Sequence, residues 1–582
     1  MWHTSLISGS DQPSKLALLA DKNVEFKWGL KIPMRDGVQL NGTVYRPKNA
    51  DPTPVIFTLT PYISDSYHSR AFYFAQHGYA YVLVDCRGRG NSAGDFEPLV
   101  NEGRDGFDIV EWLAAQEWCS GSVSMWGGSY AGFDQWMTLK EFPPHLKTIV
   151  PAASVYAGVD FPFYQNILFS YEMEWLTFTS GSTGNANLFG EASFWVEKFR
   201  EMYIEHRPFK ELDQIVGNLS THFQTWIQHP TQDSYWDRLA FPPESFDRIT
   251  IPILTITGHY DADQVGAMTY YQQHMRSASP ARDEHYLIIG PWDHAGTRTP
   301  NKEFGGLQFG EASMLEMDKL HTKWWDWTLK TGPKPEFLKQ RVAYYLAGAE
   351  EWKYADNLAS ISNASLQLYL NSSGAAANDA FHSGTLDKTS PDKSLPDGYI
   401  YDPLDVRPGE LEREDIKNYL TDQRFALNLF GNGLVYHSAP FETATEITGY
   451  IKLVAWLELD VPDTDFQVSV YEILLDGSNI LLTQDLLRAR YRESLRSETL
   501  TPLNEIIRFE FNGFSFFSRR IAKDSRLRLV ICSPNSIYYQ KNYNSGGVVS
   551  SESAQDARTA HVTLYHDADH PSCLILPLVT PA

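Results

Sequence analysis

Apolar runs of strand length alternate with amphipathic segments over the first part of the chain. Residues 55–59, 79–84 and 123–126 are continuous apolar runs, and residues 107–113 have the spacing of a helix. Strands that are apolar throughout are typical of a parallel sheet buried on both faces, with helices as the crossovers. Before them, residues 25–47 alternate about an Arg-Asp-Gly turn, which predicts a hairpin. The pattern therefore predicts an α/β fold.

This rhythm breaks after residue 150 and returns later in the chain. Residues 151–245 are aromatic, helical in period and interrupted by polar residues, which predicts an inserted helical cap. Strand-like runs resume at residues 251–256 and 286–289. We therefore assign residues 1–150 and 246–335 to the two parts of one α/β core.

A period of two replaces the helical period from about residue 336. Residues 451–459 and 466–470 place apolar side chains at alternate positions, and turn signals such as Asp476-Gly477 separate the runs. Alternation of this kind predicts antiparallel strands with one buried face. Residues 336–582 are accordingly predicted to form an all-β sandwich of the jelly-roll type.

A run of small residues, Gly127-Gly128-Ser129-Tyr130-Ala131-Gly132, joins one buried strand to the helix that follows. A serine in such a turn is typical of the nucleophile elbow of serine hydrolases. The turn is strained, and Gly127 and Ala131 avoid the clash that bulky residues would cause two positions either side. Backbone N–H groups at the start of the next helix favour developing negative charge. Ser129 is therefore the predicted nucleophile, and a plain strand–helix corner is the alternative.

A serine nucleophile needs a histidine to take its proton and a carboxylate to orient that histidine. Asp261 follows the strand at 251–256, and His294 follows the strand at 286–289. This order of serine, acid and histidine, each after a strand, is that of the α/β-hydrolases. We therefore predict Asp261 as the acid and His294 as the base.

Neighbouring residues compete for both roles. Asp263 and Asp293 are alternative acids, and His259 and His285 are alternative bases. His285 opens a strand, which should hold its ring within the sheet. Asp293 is adjacent in sequence to the predicted base and is therefore poorly placed to orient it.

Two hydrogen-bond donors are needed to stabilise the oxyanion of acyl transfer. The N–H of Tyr130, the residue after the nucleophile, is the first candidate. The second should come from the loop Thr60-Pro61-Tyr62, where the Tyr62 hydroxyl is the candidate donor. An aromatic residue that merely packs at a strand end is the alternative for Tyr62.

Composition narrows the class of protein. With 582 residues, the chain should contain two or three domains. A net charge of −23 argues against nucleic acid or an anionic membrane surface as a partner. The four cysteines fit no metal or disulfide spacing, which favours buried free thiols in a reducing compartment. Residues 1–5 show no leader pattern, so we expect a cytoplasmic protein outside the membrane, and leave a homo-oligomer open.

Two other motifs resemble binding sites. Residues 88–93 imitate a dinucleotide fingerprint, but residues 95–98 stand where the helix should open. Residues 565–570 contain two histidines and two aspartates, yet they lie at a strand end, where turn residues are expected. We therefore predict neither a metal nor an organic cofactor.

Motifs spread along nearly the whole chain carry a family resemblance, at residues 34–40, 61–62, 85–92, 127–132, 229–236, 258–261, 290–294 and 570–572. In these motifs the chain resembles the cocaine esterase and X-Pro dipeptidyl-peptidase group of serine hydrolases, which includes α-amino-acid ester hydrolases and glutaryl acylases. The resemblance implies an α/β-hydrolase core, a helical cap and a C-terminal jelly roll. It assigns the nucleophile to Ser129, the acid to Asp261 and the base to His294, and it supports Tyr62 as an oxyanion donor.

The same resemblance bears on the substrate. Amino-acid ester hydrolases of this family are expected to hold the substrate ammonium with three carboxylates, two of them just after the catalytic aspartate. Asp263 matches one of these positions, Gln264 is neutral at another, and Asp160 is a loose match for the third. Trp175 and other cap aromatics are predicted to wall the pocket, with core packing as the alternative.

We therefore expect a serine hydrolase that cleaves an ester or amide bond of a small acyl or aminoacyl substrate through a covalent acyl-enzyme. An X-Pro dipeptidyl-peptidase-type aminopeptidase is the alternative within the family. Outside it, the alternatives are a non-catalytic binding protein on a hydrolase fold and a carbohydrate-active enzyme. The acidic chain with its 16 tryptophans suggests the last of these, but no carboxylate pair stands out for that role.

Overall fold

The computed structural model describes residues 23–48, 51–63, 67–372, 376–412 and 417–580. Residues 1–5, on which the expectation of no leader rests, lie outside these ranges. Within the described ranges, no helix is long and apolar enough to cross a lipid bilayer.

The strands, in chain order, are β1 (Val24–Pro33), β2 (Gln39–Pro47), β3 (Thr53–Thr60), β4 (Ala80–Asp85), β5 (Cys119–Gly128), β6 (Leu146–Ala152), β7 (Phe163–Tyr164), β8 (Ile167–Leu168), β9 (Ile253–Tyr260), β10 (His285–Asp293), β11 (Glu303–Phe304), β12 (Leu307–Gln308), β13 (Val342–Leu346), β14 (Glu351–Ala355), β15 (Ala364–Asn371), β16 (Gly384–Asp387), β17 (Asp397–Tyr401), β18 (Gly433–Ser438), β19 (Thr445–Gly449), β20 (Lys452–Leu459), β21 (Asp465–Ile473), β22 (Asn479–Arg488), β23 (Ile507–Phe511), β24 (Phe517–Ile521), β25 (Arg526–Cys532), β26 (Ala560–Tyr565) and β27 (Cys573–Val579). The helices are α1 (His68–Gln76), α2 (Glu102–Ala114), α3 (Tyr130–Lys140), α4 (Tyr171–Phe178), α5 (Ala186–Phe189), α6 (Ala192–Ile204), α7 (Leu212–Val216), α8 (Thr221–Trp226), α9 (Ser234–Leu239), α10 (Gln264–Arg276), α11 (Met317–Leu329) and α12 (Gln423–Ala426).

The first sheet lies between two layers of helices. Its strand order is β1-β2-β4-β3-β5-β6-β9-β10-β13-β14. The strands from β4 to β13 in this order pair in parallel, while β2 and β14 are antiparallel to their neighbours. Ile109 of α2 and Trp136 of α3 pack in one apolar cluster, and Phe74 of α1 and Trp325 of α11 pack in another. Burial on both faces explains why these strands are apolar throughout.

Parallel pairing brings the carboxyl ends of the central strands to one edge of the sheet. The loops after β3, β5, β9 and β10 begin at this edge. Helices α4 to α9 come between β6 and β9 in the chain, within the segment predicted as a cap. Their buried aromatic residues, such as Trp195 and Trp226, join the apolar cluster that contains α3. The aromatic residues of this segment thus form the core of the predicted cap.

The second sheet is built from β15 to β27, with a core of alternating apolar side chains. Leu453, Ala455 and Leu457 of β20 are fully buried, as the period of two predicts. Two strands that follow residue 336, β13 and β14, pair within the first sheet. Residues 342–346 are all buried, which suits a strand that pairs in parallel with β10.

The four cysteines are free thiols in this fold. Cys86, Cys119 and Cys573 are buried, and Cys532 is partly exposed.

Candidate active site

Ser129 lies in the sharp turn between β5 and α3. Its backbone has a φ of +61°, a left-handed value that is uncommon for a residue other than glycine. A Cβ atom at Gly127 would lie 2.7 Å from the Cβ of Ala131, closer than two carbon atoms can approach. The small residues on either side of the serine therefore allow this strained turn to form.

The Tyr130 side chain points away from the nucleophile and into the core. Its hydroxyl donates to Glu102 Oε1 at 2.6 Å and accepts from the N–H of Leu99 at 2.5 Å. Tyr130 is the first residue of α3, where a backbone N–H has no acceptor within the helix. The side chain is held in the core by these two hydrogen bonds, and the backbone N–H of Tyr130 lies next to Ser129 in the turn.

The Tyr62 hydroxyl lies between Ser129 and a cap residue. Its oxygen is 3.3 Å from Ser129 Oγ and accepts a hydrogen bond from Trp175 Nε1 at 3.1 Å. Because the indole N–H can only donate, the phenol proton is free to point towards the serine. Burial raises the pKa of Tyr62 well above its usual value, so the hydroxyl keeps its proton. The ring stacks on Phe178, with ring centroids 5.5 Å apart.

His294 and Asp261 form a buried pair at the same edge of the sheet. His294 Nδ1 is 2.8 Å from Asp261 Oδ1, and the two side chains are 2% and 0% exposed. Asp261 also accepts from Thr257 Oγ1 at 2.8 Å and from the N–H of Asp263 at 3.1 Å. These bonds fix the carboxylate, and the carboxylate fixes the Nδ1–H tautomer of the ring, which leaves Nε2 as the basic nitrogen.

Burial lowers the pKa of His294 below its ordinary value. The hydrogen bond that His294 donates to Asp261 opposes this shift, and the positive charge of Arg298 adds to it. The Arg298 guanidinium packs so closely on the strand end that a Cβ at Gly128 would lie 2.3 Å from its Nη1. His294 is therefore neutral, and able to act as a base, at lower pH values than an exposed histidine would be.

Three further carboxyl groups line the pocket that contains Ser129 and Tyr62. They belong to Asp160, Glu172 and Asp263. Burial raises the pKa of Asp160 to about 7, and it raises the pKa values of Glu172 and Asp263 well above the usual range. The charge of Asp160 contributes to the shifts of the other two groups. Three of the residues that line this pocket are therefore acidic, and none is basic.

The three acids differ in what already binds them. Asp160 accepts from the N–H groups of Tyr156 and Gly266, at 2.7 Å and 2.5 Å. Asp263 Oδ2 is 3.5 Å from His294 Nδ1. Glu172 is 1% exposed, and its Oε2 has no hydrogen-bond partner among the described residues.

Gln264 is turned out of this pocket. Its amide nitrogen donates to the carbonyls of Gly258 and Phe516, each at 2.8 Å, and its oxygen accepts from the N–H of Phe516 at 2.7 Å. Gln264 therefore joins the start of α10 to the residue just before β24 of the second sheet. Trp175, in contrast, lies in the wall of the pocket that contains Ser129.

The competing residues have structural partners of their own. His285 Nε2 is 2.8 Å from Thr255 Oγ1 on the neighbouring strand, and its Nδ1 is 2.9 Å from His274 Nδ1 on α10. Asp293 accepts from the N–H of Gly296 at 2.8 Å. The ring of His259 is buried, and burial lowers its pKa to about 3. None of these contacts reaches Ser129.

Sequence reasoning missed Glu172 and Arg298 as parts of the site. Glu172 stands three residues before Trp175 on α4, and this spacing places the two side chains on one helix face. That spacing was the available signal for Glu172. Arg298 lies in a loop after His294, and nothing in its local sequence marks it.

Within the described ranges, no three His, Cys, Asp or Glu side chains are grouped as metal ligands. In the stretch 565–570, His570 Nδ1 contacts Asp567 Oδ1 at 3.0 Å, as in an ordinary turn.

Two family models match the chain over most of its length. The model described as X-Pro dipeptidyl-peptidase (S15 family) matches residues 36–296. The model described as X-Pro dipeptidyl-peptidase C-terminal non-catalytic domain matches residues 336–575. The first match contains the elbow, and the second contains nearly all of the second sheet.

Named relatives and solved structures cover almost the whole chain. Cocaine esterase of Rhodococcus sp. (strain MB1 Bresler) is 26% identical over 599 aligned residues, which cover 96% of this chain and 100% of the esterase. A solved α-amino acid ester hydrolase has a TM-score of 0.83 at 21% identity, and an aminopeptidase from a marine sediment archaeon, Thaumarchaeota archaeon, has 0.82 at 20%. Each covers 96% of this chain and 97% of its own. These structural likenesses confirm the predicted fold, an α/β-hydrolase core with a C-terminal β domain.

Proposed function

The chain belongs to the cocaine esterase and X-Pro dipeptidyl-peptidase-like family of serine hydrolases, and from this premise we propose that Ser129, His294 and Asp261 are its catalytic triad. The substrate is a small ester or amide, and the acyl group that it transfers carries a free ammonium. Tyr62 and the backbone of Tyr130 stabilise the oxyanion.

The proposed reaction has two acyl-transfer steps. His294 Nε2 takes the proton of Ser129 Oγ as the oxygen attacks the acyl carbon, and the negative charge moves to the carbonyl oxygen. The imidazolium then gives its proton to the leaving alcohol or amine. Water repeats the attack on the acyl-enzyme, and the acid product leaves. Asp261 stabilises the imidazolium in both steps.

One observation carries this proposal: the Tyr62 hydroxyl, fixed by Trp175, lies 3.3 Å from the oxygen of a strained elbow serine. A phenol that accepts a hydrogen bond from an indole must direct its own proton elsewhere. We place the oxyanion beside Ser129 Oγ, where this proton can reach it. A non-catalytic binding protein would have no need for a neutral phenol aimed at a serine. The buried contact between His294 and Asp261, at 2.8 Å, supports the same interpretation.

The acids of the pocket support an ammonium on the acyl group. Burying carboxyl groups without a cation among their neighbours is costly, and Asp160 and Glu172 are buried in the pocket wall beside the serine, where no lining residue is basic. The Asp263 side chain, in the same wall, is 14% exposed. An ammonium would donate to these oxygens and favour their charged forms. Gln264 is bonded to Phe516 and lies outside the pocket wall, so we assign the third carboxyl group to Glu172.

The triad is tested by active-site labelling. A fluorophosphonate probe should label the wild-type protein at Ser129, and Ser129→Ala should prevent labelling and lower kcat by about 10⁶. Ser124→Ala is a matched control, since this buried serine lies earlier on β5 and bonds to the Trp325 indole instead. Wild-type protein that takes no label would favour a binding protein on a hydrolase fold.

The acyl group is tested with a matched substrate panel. Alanyl and propionyl p-nitrophenyl esters differ mainly in the ammonium, and Ala-Pro p-nitroanilide tests the dipeptidyl-peptidase alternative. Glu172→Gln should raise KM for the alanyl ester by about 10- to 100-fold, the effect of losing one charged hydrogen bond, and change the propionyl ester far less. Glu174→Gln is the control, because Glu174 is buried on the same helix but outside the pocket wall. Equal effects of Glu172→Gln on both esters would remove the ammonium from the proposal.

A further inference from the structure

The loop after β4, which imitates a dinucleotide fingerprint, buries an arginine instead of binding a phosphate. Arg89 is 0% exposed. Gly90 has a φ of +54°, and a Cβ there would lie 2.3 Å from Asp85 Oδ2, so the turn requires glycine. The N–H of Gly90 donates to the carbonyl of Ser182 at 2.6 Å. The loop is therefore shaped to hold the guanidinium inside, against the cap.

The hydrogen bonds of this guanidinium go to main-chain carbonyls on both sides of the active site. Its Nε donates to Pro61 at 2.8 Å, the residue just before Tyr62. Its Nη1 donates to Thr179 at 2.7 Å and to Ser180 at 3.2 Å, and also to Gly181. Its Nη2 donates to Phe178 at 3.3 Å. Besides Pro61, the acceptors are the carbonyl of Phe178, the last residue of α4, and those of the three residues that follow it. Helix α4 also carries Trp175.

Two favourable terms explain why a charged group is buried here. The last carbonyls of a helix bear partial negative charge, and a cation at this end is stabilised. The planar guanidinium can also donate in several fixed directions at once, which an ammonium cannot do. Burial lowers the pKa of Arg89, which is the cost of placing it there.

We propose that Arg89 is a positioning residue for the oxyanion hole. It fixes the main chain at Pro61 and the end of α4, and so holds both partners of the hydrogen bond between Tyr62 and Trp175. The Tyr62 hydroxyl is thereby kept aimed at Ser129. This inference rests on the proposed oxyanion role of Tyr62, and it adds a residue that touches neither substrate nor reacting atoms.

A double-mutant cycle tests the proposal. Arg89→Lys keeps the charge but loses the planar fork, and it should lower kcat for the propionyl p-nitrophenyl ester by about 10- to 100-fold, as small displacements of catalytic groups do. KM should change little, because the affected interaction is made in the transition state. In the Tyr62→Phe background, where the hydroxyl is already absent, Arg89→Lys should change kcat by less than about twofold.

The control is Arg528→Lys in the second sheet. Arg528 is also buried and donates to a main-chain carbonyl, that of Ala426, at 3.2 Å. It should change kcat by less than about twofold in both backgrounds. A loss from Arg89→Lys that is equal with and without the Tyr62 hydroxyl would overturn the positioning role.

The remaining outcomes also decide. Unchanged kcat in Arg89→Lys alone would overturn the inference. If neither Arg89→Lys nor Arg89→Gln gives folded protein by circular dichroism, Arg89 serves stability and the positioning role is rejected. Unchanged kcat in Tyr62→Phe alone would instead reject the oxyanion role of Tyr62, so failure of the proposed function is distinguishable.

Discussion

Asp263 Oδ2 lies 3.5 Å from His294 Nδ1, the same nitrogen that Asp261 Oδ1 contacts at 2.8 Å. The two carboxyl groups are therefore neighbours with different geometry. Asp261 is held by Thr257 and by an amide, whereas Asp263 faces the pocket with Ser129. We infer that the nearer group orients the base and the farther one meets the substrate.

The first prediction separates these two acids by mutation. Asp261→Asn should lower kcat by about 10⁴ on both charged and neutral esters, because the amide no longer selects the Nδ1–H tautomer. Asp263→Asn should retain most of kcat on the propionyl ester and raise KM on the alanyl ester. Steady-state kinetics on the two p-nitrophenyl esters make the comparison. If Asp263→Asn were the more damaging change on the neutral ester, the roles would be reversed.

The second prediction concerns the Tyr62 hydroxyl. Tyr62→Phe should lower kcat by about 10²- to 10³-fold, the effect of removing one oxyanion donor. Tyr81→Phe removes another buried phenol hydroxyl, which contacts Thr58 Oγ1 at 2.6 Å, and should leave kcat close to wild type. Trp175→Phe should give an intermediate loss, because the hydroxyl remains but its orientation is no longer fixed. Equal activity of the two tyrosine variants would contradict the prediction.

Much of the site could be predicted from sequence because local geometry dictates it. The elbow at Ser129 needs small neighbours, and the loops after β9 and β10 bring Asp261 and His294 to the same edge as the elbow. Parallel pairing alone places these loops together. Tyr62, in the loop after β3, follows from the same rule.

The rest depends on tertiary packing, which sequence patterns do not reveal. The residues Glu172 and Glu174 are both buried on α4, and only the rotation of that helix against the core brings the first into the pocket. Gln264 contacts Phe516, which is remote in sequence and belongs to the other part of the chain. The apolar pattern of residues 342–346 suits a strand of either sheet. Only the folded structure shows that this strand pairs with β10 in the first sheet.

The third prediction concerns the packing of the elbow. Gly127→Ala places a methyl group 2.7 Å from Ala131 Cβ, so either the strand end or the helix start must move. We expect a loss of about 1–3 kcal/mol in the free energy of unfolding, typical of overpacked sites. Urea unfolding followed by tryptophan fluorescence measures this change.

The control for this change is Gly398→Ala on β17. The added methyl group would meet only the carbonyl of Val562, at 3.2 Å, which demands a small adjustment. We expect an effect well below that of Gly127→Ala. A Gly127→Ala protein as stable as wild type would mean that the elbow tolerates a larger residue and is less constrained than its contacts indicate.

The fourth prediction is a difference in pH dependence between the two esters. Burial lowers the pKa of His294 below 6.5, so kcat/KM for the neutral propionyl ester should hold as pH falls to that value and decline only below it. Burial raises the pKa of Asp160 to about 7, and those of Glu172 and Asp263 well above their usual range. Asp160 therefore gains a proton as pH falls through neutrality, and a protonated carboxyl group attracts an ammonium far less strongly.

The kcat/KM value for the alanyl ester should therefore begin to fall near pH 7, at a higher pH than that for the propionyl ester. An ester ammonium stays protonated throughout this acidic range, so the difference would come from the protein. Profiles of kcat/KM between pH 5 and pH 8 on both esters make the measurement, and Asp160→Asn should reduce the difference between them. Identical acid limbs for the two esters would show that no titrating carboxyl group of the pocket contacts the substrate ammonium, and the proposed selectivity would fail while the triad remained.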